Sequence, residues 1–330
     1  MEKLVRRPRS TARQEPLVKA YFFDEKRPLP YVIEANQQDL NLEQWMKQNI
    51  EEIEAKLLQY GAVLFRGFGV SNIQEFEAVT HSFGQQLLNY DFASTPRTAI
   101  QGKIYTSTEY PPDQEIIMHN EMAYSKKWPG KLWFYCHTPS ETGGETPLVD
   151  SRKMYDRIPV HIKEKFEKKR LVYVRNYHEN LDLDWRKVFQ TEKKEEVEQY
   201  CEAHGIEYQW LNDNHLQTRE KCLAVVEHPA TKEKTWFNQA HLFHISNLSK
   251  EVKDTLLTIL DEEMVPRNVF FGNGEAIDPG ELDEIRQLFQ EEKSVFPWRK
   301  NDVLLVDNIL AAHGRQPYQG DRKIIVAMTD

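Results

Sequence analysis

Cysteine is scarce in this chain: three in 330 residues, Cys136, Cys201 and Cys222, with no CxxC pair among them. So sparse and odd a set excludes a disulfide framework and fits a reducing cytosol with structural thiols. No apolar run is long enough to span a bilayer, and the N-terminus lacks the apolar core of a signal peptide. The chain is therefore expected to be cytoplasmic and without membrane partners, and its Asn247-Leu248-Ser249 sequon reads as accidental. A basic stripe with interleaved aromatics is missing too. Lys and Arg number 43 against 52 Asp and Glu, and the net charge of −9 argues against nucleic acid as a partner. There are no internal repeats and no low-complexity linkers.

What is present is globular in character. Apolar residues make up 40% and charged residues 29%, with 7 Trp, 14 Tyr and 16 Phe, which is enough for a substantial core. The length is at the upper end for one domain, although barrels and sandwiches often run long. We read a single domain over residues 21–330, behind a flexible basic tail, residues 1–20, that carries Arg6, Arg7, Arg9 and Arg13.

Apolar spacing predicts a helix from Asn41 to Tyr60 ending at Gly61, a buried strand from Ala62 to Phe68, and a helix from Asn72 to Phe83. Further on, short strands are expected from Ile104 to Thr108, Lys131 to His137, Leu171 to Asn176, Ile206 to Leu211, Asp302 to Asp307 and Arg322 to Met328. Helices are expected from Met154 to Lys168, from Glu192 to His204, and from Pro279 to about Glu292, the last capped by Asp278. Helices in front of many strands give an α+β fold, a sandwich or barrel decorated by helices. If the last two strands pair, His313 and Arg322 come together. Residues 182–216 read as an insertion or lid over the site, and residues 92–110 as a second lid candidate.

The chemistry sits in Met118-His119-Asn120-Glu121-Met122 and, near the other end, Ala312-His313-Gly314-Arg315. His119 and Glu121 are two apart, so in a strand both face one side. With His313 they offer two imidazoles and one carboxylate, the facial ligand set of non-haem iron(II) oxygenases. Arg322, nine residues after His313, is placed to hold a dicarboxylate beside such a metal. A His-x-Glu match by itself is weak, and His137, His228, His241 and His244 offer competing pairs.

The surrounding text is more specific. Gly61 to Phe68, Thr106 to Tyr124, Gly143-Gly144-Glu145-Thr146-Pro147, Pro297 to Asn308, His313 to Tyr318 and Arg322-Lys323 follow one another in an order that resembles the taurine dioxygenase superfamily of iron(II)/2-oxoglutarate oxygenases. The chain looks closest to the clavaminate synthase-like branch, and the resemblance covers about residues 55–330. It implies a double-stranded β-helix, or jelly roll, with flanking helices.

Carried over, it makes His119, Glu121 and His313 the catalytic metal ligands. Many relatives carry Asp where Glu121 stands. The longer arm keeps the ligand chemistry and speaks against halogenation, since halogenating relatives lose this carboxylate. The resemblance also implies that Arg322 binds the distal carboxylate of 2-oxoglutarate, with help from Thr146 and with Lys323 as a weaker substitute. Arg97, Tyr105, Thr108 and Asn238 are substrate-binding candidates by neighbourhood. Arg315 either meets a substrate carboxylate or supports a neighbouring backbone. Asp307 and Asn308 either orient the ligands or end a strand.

The expected activity is hydroxylation of an unactivated C–H in a small amino-acid-like substrate, free or tethered to a carrier protein. Iron(II), 2-oxoglutarate and dioxygen are its expected cofactors, and succinate and carbon dioxide its expected by-products. Desaturation or cyclisation on the same centre remains open. So do a zinc hydrolase built on the same three residues and a non-catalytic small-molecule sensor on the same barrel.

Overall fold

The computed structural model describes residues 16–37, 40–84, 86–89, 98–108, 110–178 and 183–330. Its frame is a sheet of eight strands in the order Val18–Tyr21, Tyr31–Ala35, Ala62–Arg66, Val303–Asp307, Lys131–Thr138, Lys323–Thr329, Ile104–Thr106 and Ala99–Gln101. The period of two along these strands sorts their side chains onto two faces. Leu132, Phe134 and Cys136, with Leu304, Val306, Ile324, Val326 and Met328, point inward. They meet Leu148 and Ala311 from a second, three-stranded sheet ordered Ile116–His119, Ala311–Arg315, Leu148–Asp150. Two sheets packed face to face over this core make the expected jelly roll.

The intervening residues Trp133, Tyr135, Val303, Leu305, Ile325 and Ala327 face the other way, onto the helices Leu42–Gln48, Ile50–Tyr60 and Ile73–His81. Beyond the small sheet lies a third core. There a four-stranded sheet ordered Glu207–Asn212, His215–Cys222, Leu171–Tyr177, Arg267–Phe271 packs with the helices Ser151–Arg157, Val160–Lys169, Trp185–Phe189, Lys194–His204, Ala240–Phe243 and Pro279–Glu292 against Met118, Val149 and Ala312.

Several expectations change in detail. The segment predicted as one helix from Asn41 to Tyr60 is two, because Asn49 leaves helical geometry (φ −125°, ψ 21°) and its side-chain amide donates to the Trp45 carbonyl. The Met154 to Lys168 helix is likewise two, Ser151–Arg157 and Val160–Lys169, parted at Pro159, which has no N–H to give. The tail is shorter than expected, since Val18–Tyr21 pairs along Tyr31–Ala35 and edges the main sheet. Residues 1–15 lie outside the described residues.

The final two strands do not pair with each other. Lys131–Thr138 runs between them and bonds to both. His313 lies on neither strand but in Ala311–Arg315 of the facing sheet. Among the described residues no helix is long and apolar enough to cross a membrane.

Candidate metal centre

His119 ends its strand, and its register partner on the neighbouring strand is His313. Their ring centroids stand 4.6 Å apart. Glu121 joins them from the turn that follows, with its Oε2 at 3.9 Å from Nε2 of His313. The expectation of strand alternation for His119 and Glu121 is therefore corrected. The strand stops at His119, and Glu121 approaches the rings from the turn beyond it, whose next residue, Met122, has φ 56°. Ligand atoms of the three residues all lie within 4.8 Å of one another, close enough to share one ion.

Neighbouring groups hold the His119 ring and the Glu121 backbone. Nδ1 of His119 lies 2.8 Å from the Ile117 carbonyl. A carbonyl only accepts, so Nδ1 carries the proton and Nε2 keeps its lone pair. Asn308 grips Glu121 by its backbone: Oδ1 accepts from the Glu121 N–H at 2.7 Å, and Nδ2 donates to the Glu121 carbonyl at 3.0 Å. Nδ2 of Asn120 donates to the Asn308 carbonyl at 2.7 Å, and Nε2 of Gln239 donates to the Asn120 carbonyl at 2.7 Å. Of the pair left open above, Asn308 orients the turn. Asp307 ends its strand, with Oδ1 accepting from the N–H groups of Ile309 and Leu310.

Gly314 is obligatory, because a Cβ there would meet the Ile116 carbonyl oxygen at 2.5 Å. The register between the two histidine strands shifts at this point. Phe134 of the main sheet closes on His313 from the inter-sheet core, with ring centroids 5.1 Å apart.

Two cavities meet at the three side chains. The smaller, about 30 Å³, is lined by His119 and His313 together with Thr146, Arg315 and Arg322. Nε of Arg322 donates to the Gly144 carbonyl at 2.8 Å, which leaves its two NH₂ groups available. Among the described residues no ion pair joins Arg322 to a carboxylate. Burial, and then the nearby Arg315 cation, push the Arg322 guanidinium down to about 10. It is still charged at neutral pH, a buried cation well suited to an anion. Gly144 makes its position possible, since a Cβ there would lie 2.9 Å from Cδ of Arg322 and the backbone has φ +71°. Oγ1 of Thr146 accepts from the Trp298 indole at 3.0 Å.

The larger cavity, about 520 Å³, touches His119 and Glu121 and shares Thr108 and Ile116 with the smaller one. Of the substrate candidates only Thr108 lines it. Tyr105 packs against the core between the sheets. Asn238 is used up locally, donating to the Ala224 carbonyl at 2.8 Å and accepting from the Ala240 N–H at 3.0 Å, so its neighbour Gln239 lines the cavity instead. Arg315 spends its guanidinium on the carbonyls of Tyr110, Pro111 and Gln114, which is the backbone-supporting alternative. Arg97 lies outside the described residues.

The lid expectation for residues 182–216 is corrected as well. From Leu183 onward none of that segment lines the large cavity, and Trp185, Val188, Val197 and Cys201 are buried in the third core. From the 92–110 segment, Thr108 and Tyr110 do line it, whereas residues 92–97 and 109 lie outside the described residues. The sequence reading missed Arg267 and the run from Leu242 to Leu256. Only the spacing of Leu248, Val252 and Leu256, four apart, signalled the latter.

Known proteins resemble this chain in sequence and in fold. A family model described as "Taurine catabolism dioxygenase TauD, TfdA family" matches residues 25–329. The dapdiamide synthesis protein DdaC of Enterobacter agglomerans is 40% identical over 311 residues, covering 92% of this chain and 94% of that protein. A clavaminate synthase-like protein of Arabidopsis thaliana is 31% identical over 297 residues, 86% of each. Among solved structures, PvcB of Pseudomonas aeruginosa superposes with a TM-score of 0.54 at 13% identity, covering 96% of this chain and 92% of that one, which supports the jelly-roll fold. A second structure describes PvcB as an Fe, alpha-ketoglutarate dependent oxygenase from an isonitrile synthetic pathway.

Proposed function

Since this chain belongs to the TauD, TfdA family of iron(II)/2-oxoglutarate-dependent dioxygenases, we propose that His119, Glu121 and His313 hold its iron and that it hydroxylates an amino-acid-like small molecule. The observation that carries the reading is the convergence of two histidines and a carboxylate within 4.8 Å beside a half-buried arginine. The donor set fits iron(II): two neutral imidazoles and one carboxylate leave coordination positions open. The buried guanidinium of Arg322, with Thr146 next to it, fits the distal carboxylate of 2-oxoglutarate through charge-assisted hydrogen bonds. A zinc hydrolase would have no use for that pair.

Bound iron(II), with 2-oxoglutarate and dioxygen, supplies the oxidising power to place oxygen on an unactivated C–H bond, releasing succinate and carbon dioxide. The chain's own residues do the rest. Asn308 and Gln239 keep the Glu121 turn in place. Arg322 and Thr146 orient the cosubstrate from the small-cavity side, and His119 stands where the two cavities meet. On the other side, apolar residues of the large cavity keep water away from the reacting carbon.

The substrate is read as a derivative of an amino acid, free or carrier-tethered. DdaC, a protein of dapdiamide synthesis, supports a biosynthetic role of this kind. Anaerobic titration with iron(II) and 2-oxoglutarate, followed by a screen for compounds that stimulate succinate release, tests the reading. Failure to form the ternary complex of protein, iron and 2-oxoglutarate would refute it.

A further inference from the structure

An amphipathic helix ordinarily buries its apolar stripe against the core. The helix Lys250–Ile259 does not: none of its residues is buried. Val252 and Leu256 fall four apart within it and so share one face, and Leu248 stands just before its N-cap. Leu248 and Val252 are 40% and 48% exposed. All three line the large cavity, the one that also touches His119 and Glu121. Leu242, Ile245, Val265 and Pro266 extend the apolar wall. Arg267 lines the same cavity, with its guanidinium 5.8 Å from the Phe243 ring centroid. The space, about 520 Å³, falls in the range of pockets that take drug-sized ligands. A free amino acid would leave most of it empty and this apolar face wet.

We propose that the substrate is an amino-acid derivative extended by an apolar arm of several carbons, such as an N-acylated amino acid. The arm lies against Leu248, Val252 and Leu256, and Arg267 offers a cation to the substrate carboxylate. The proposal rests on the metal-site reading above. The face belongs to the substrate rather than to a protein partner because it is continuous with the wall that carries the metal-binding side chains.

The test is calorimetric binding of alanine and of its N-acetyl, N-butanoyl, N-hexanoyl and N-octanoyl derivatives to the metal-free protein, which needs no turnover. Each buried methylene should tighten binding by about threefold, with alanine weakest. In a Val252→Asn, Leu256→Asn double variant the gradient should flatten while the melting temperature holds, because neither side chain is buried. Equal affinity across the series, or an unchanged gradient in the double variant, overturns the proposal. So would a dimer, seen by light scattering, that the double variant disperses, since that would assign the face to a second copy. Anaerobic absorbance on adding iron(II) and 2-oxoglutarate is measured alongside. A missing complex removes the function itself, whereas a normal complex with a flat series removes only the apolar arm.

Discussion

On the proposed reading, His119 and Arg322 separate the two tasks of the site, holding a metal and holding an anion. His119 ends a strand and reaches the core little, so His119→Ala should abolish iron binding, read by metal analysis after dialysis, with little change in melting temperature. Arg322→Ala should raise the 2-oxoglutarate Kd by about tenfold to a hundredfold, the equivalent of about 1.5–3 kcal/mol for hydrogen bonds to a charged group. Iron affinity should stay within about threefold of the parent, since the guanidinium is not a donor to the metal. Equal Kd values for 2-oxoglutarate in parent and variant would move the anion site elsewhere. The identities of these residues were legible in the sequence because two short motifs, Met118 to Met122 and His313 to Arg315, carry unusual residue types in a fixed order. The geometry of Glu121 was not. A left-handed Met122 has no signature in an apolar side chain, and the turn is held by Asn308 and Gln239 from distant parts of the chain.

The helices show where pattern reading succeeds and where it fails. Asp278 and Pro279 marked the start of Pro279–Glu292 correctly, because a cap and an N-terminal proline are local chemistry. The charged stripe of Lys194–His204 gives no hint of what its other face meets, so the sequence suggests an insertion or lid over residues 182–216 where Val197 and Cys201 seal a core. The short helix Ala240–Phe243 adds a pH dependence. Complete burial, opposed by the hydrogen bond to the Met118 carbonyl, pushes the His241 imidazole down to about 3. Burial, then Arg286 and Lys253, push His244 down to about 4. Both rings stay neutral in the folded chain, while the unfolded chain protonates them near pH 6.5. Between those values the unfolded state binds more protons. Their contribution to stability is therefore complete above about pH 6.5 and declines as the pH falls through the window toward the folded values. Melting temperatures of metal-free protein, followed from neutral pH to about pH 5, should drop less steeply for His241→Gln, whose amide can still donate to Met118. Parallel curves would show that His241 does not titrate on unfolding.

Taken whole, the molecule is closed by contacts between its two ends. Ala62–Arg66 pairs with Val303–Asp307, and Arg66 forks onto the Asp302 carboxylate at 2.6 and 3.1 Å, with both side chains buried. Removing one partner strands the other charge, so Asp302→Ala should lower the unfolding free energy by about 3–5 kcal/mol. Denaturant melts would show this, and a loss under about 1 kcal/mol would mean that water reaches Arg66. The jelly roll itself was foreseen from motif order. The position of Lys131–Thr138 between the last two strands was not, because strand neighbours far apart in sequence leave no local trace.

The Asn308 clamp and the Ile117 carbonyl set Glu121 and His119 in place through bonds that require no ion. In the proposed site one ring and one turn are thus braced before any ion arrives. Its nitrogen and oxygen donors would rank divalent ions in the usual chemical order, with nickel and copper above ferrous iron. Reconstitution with iron should therefore begin by stripping any tighter-binding ion.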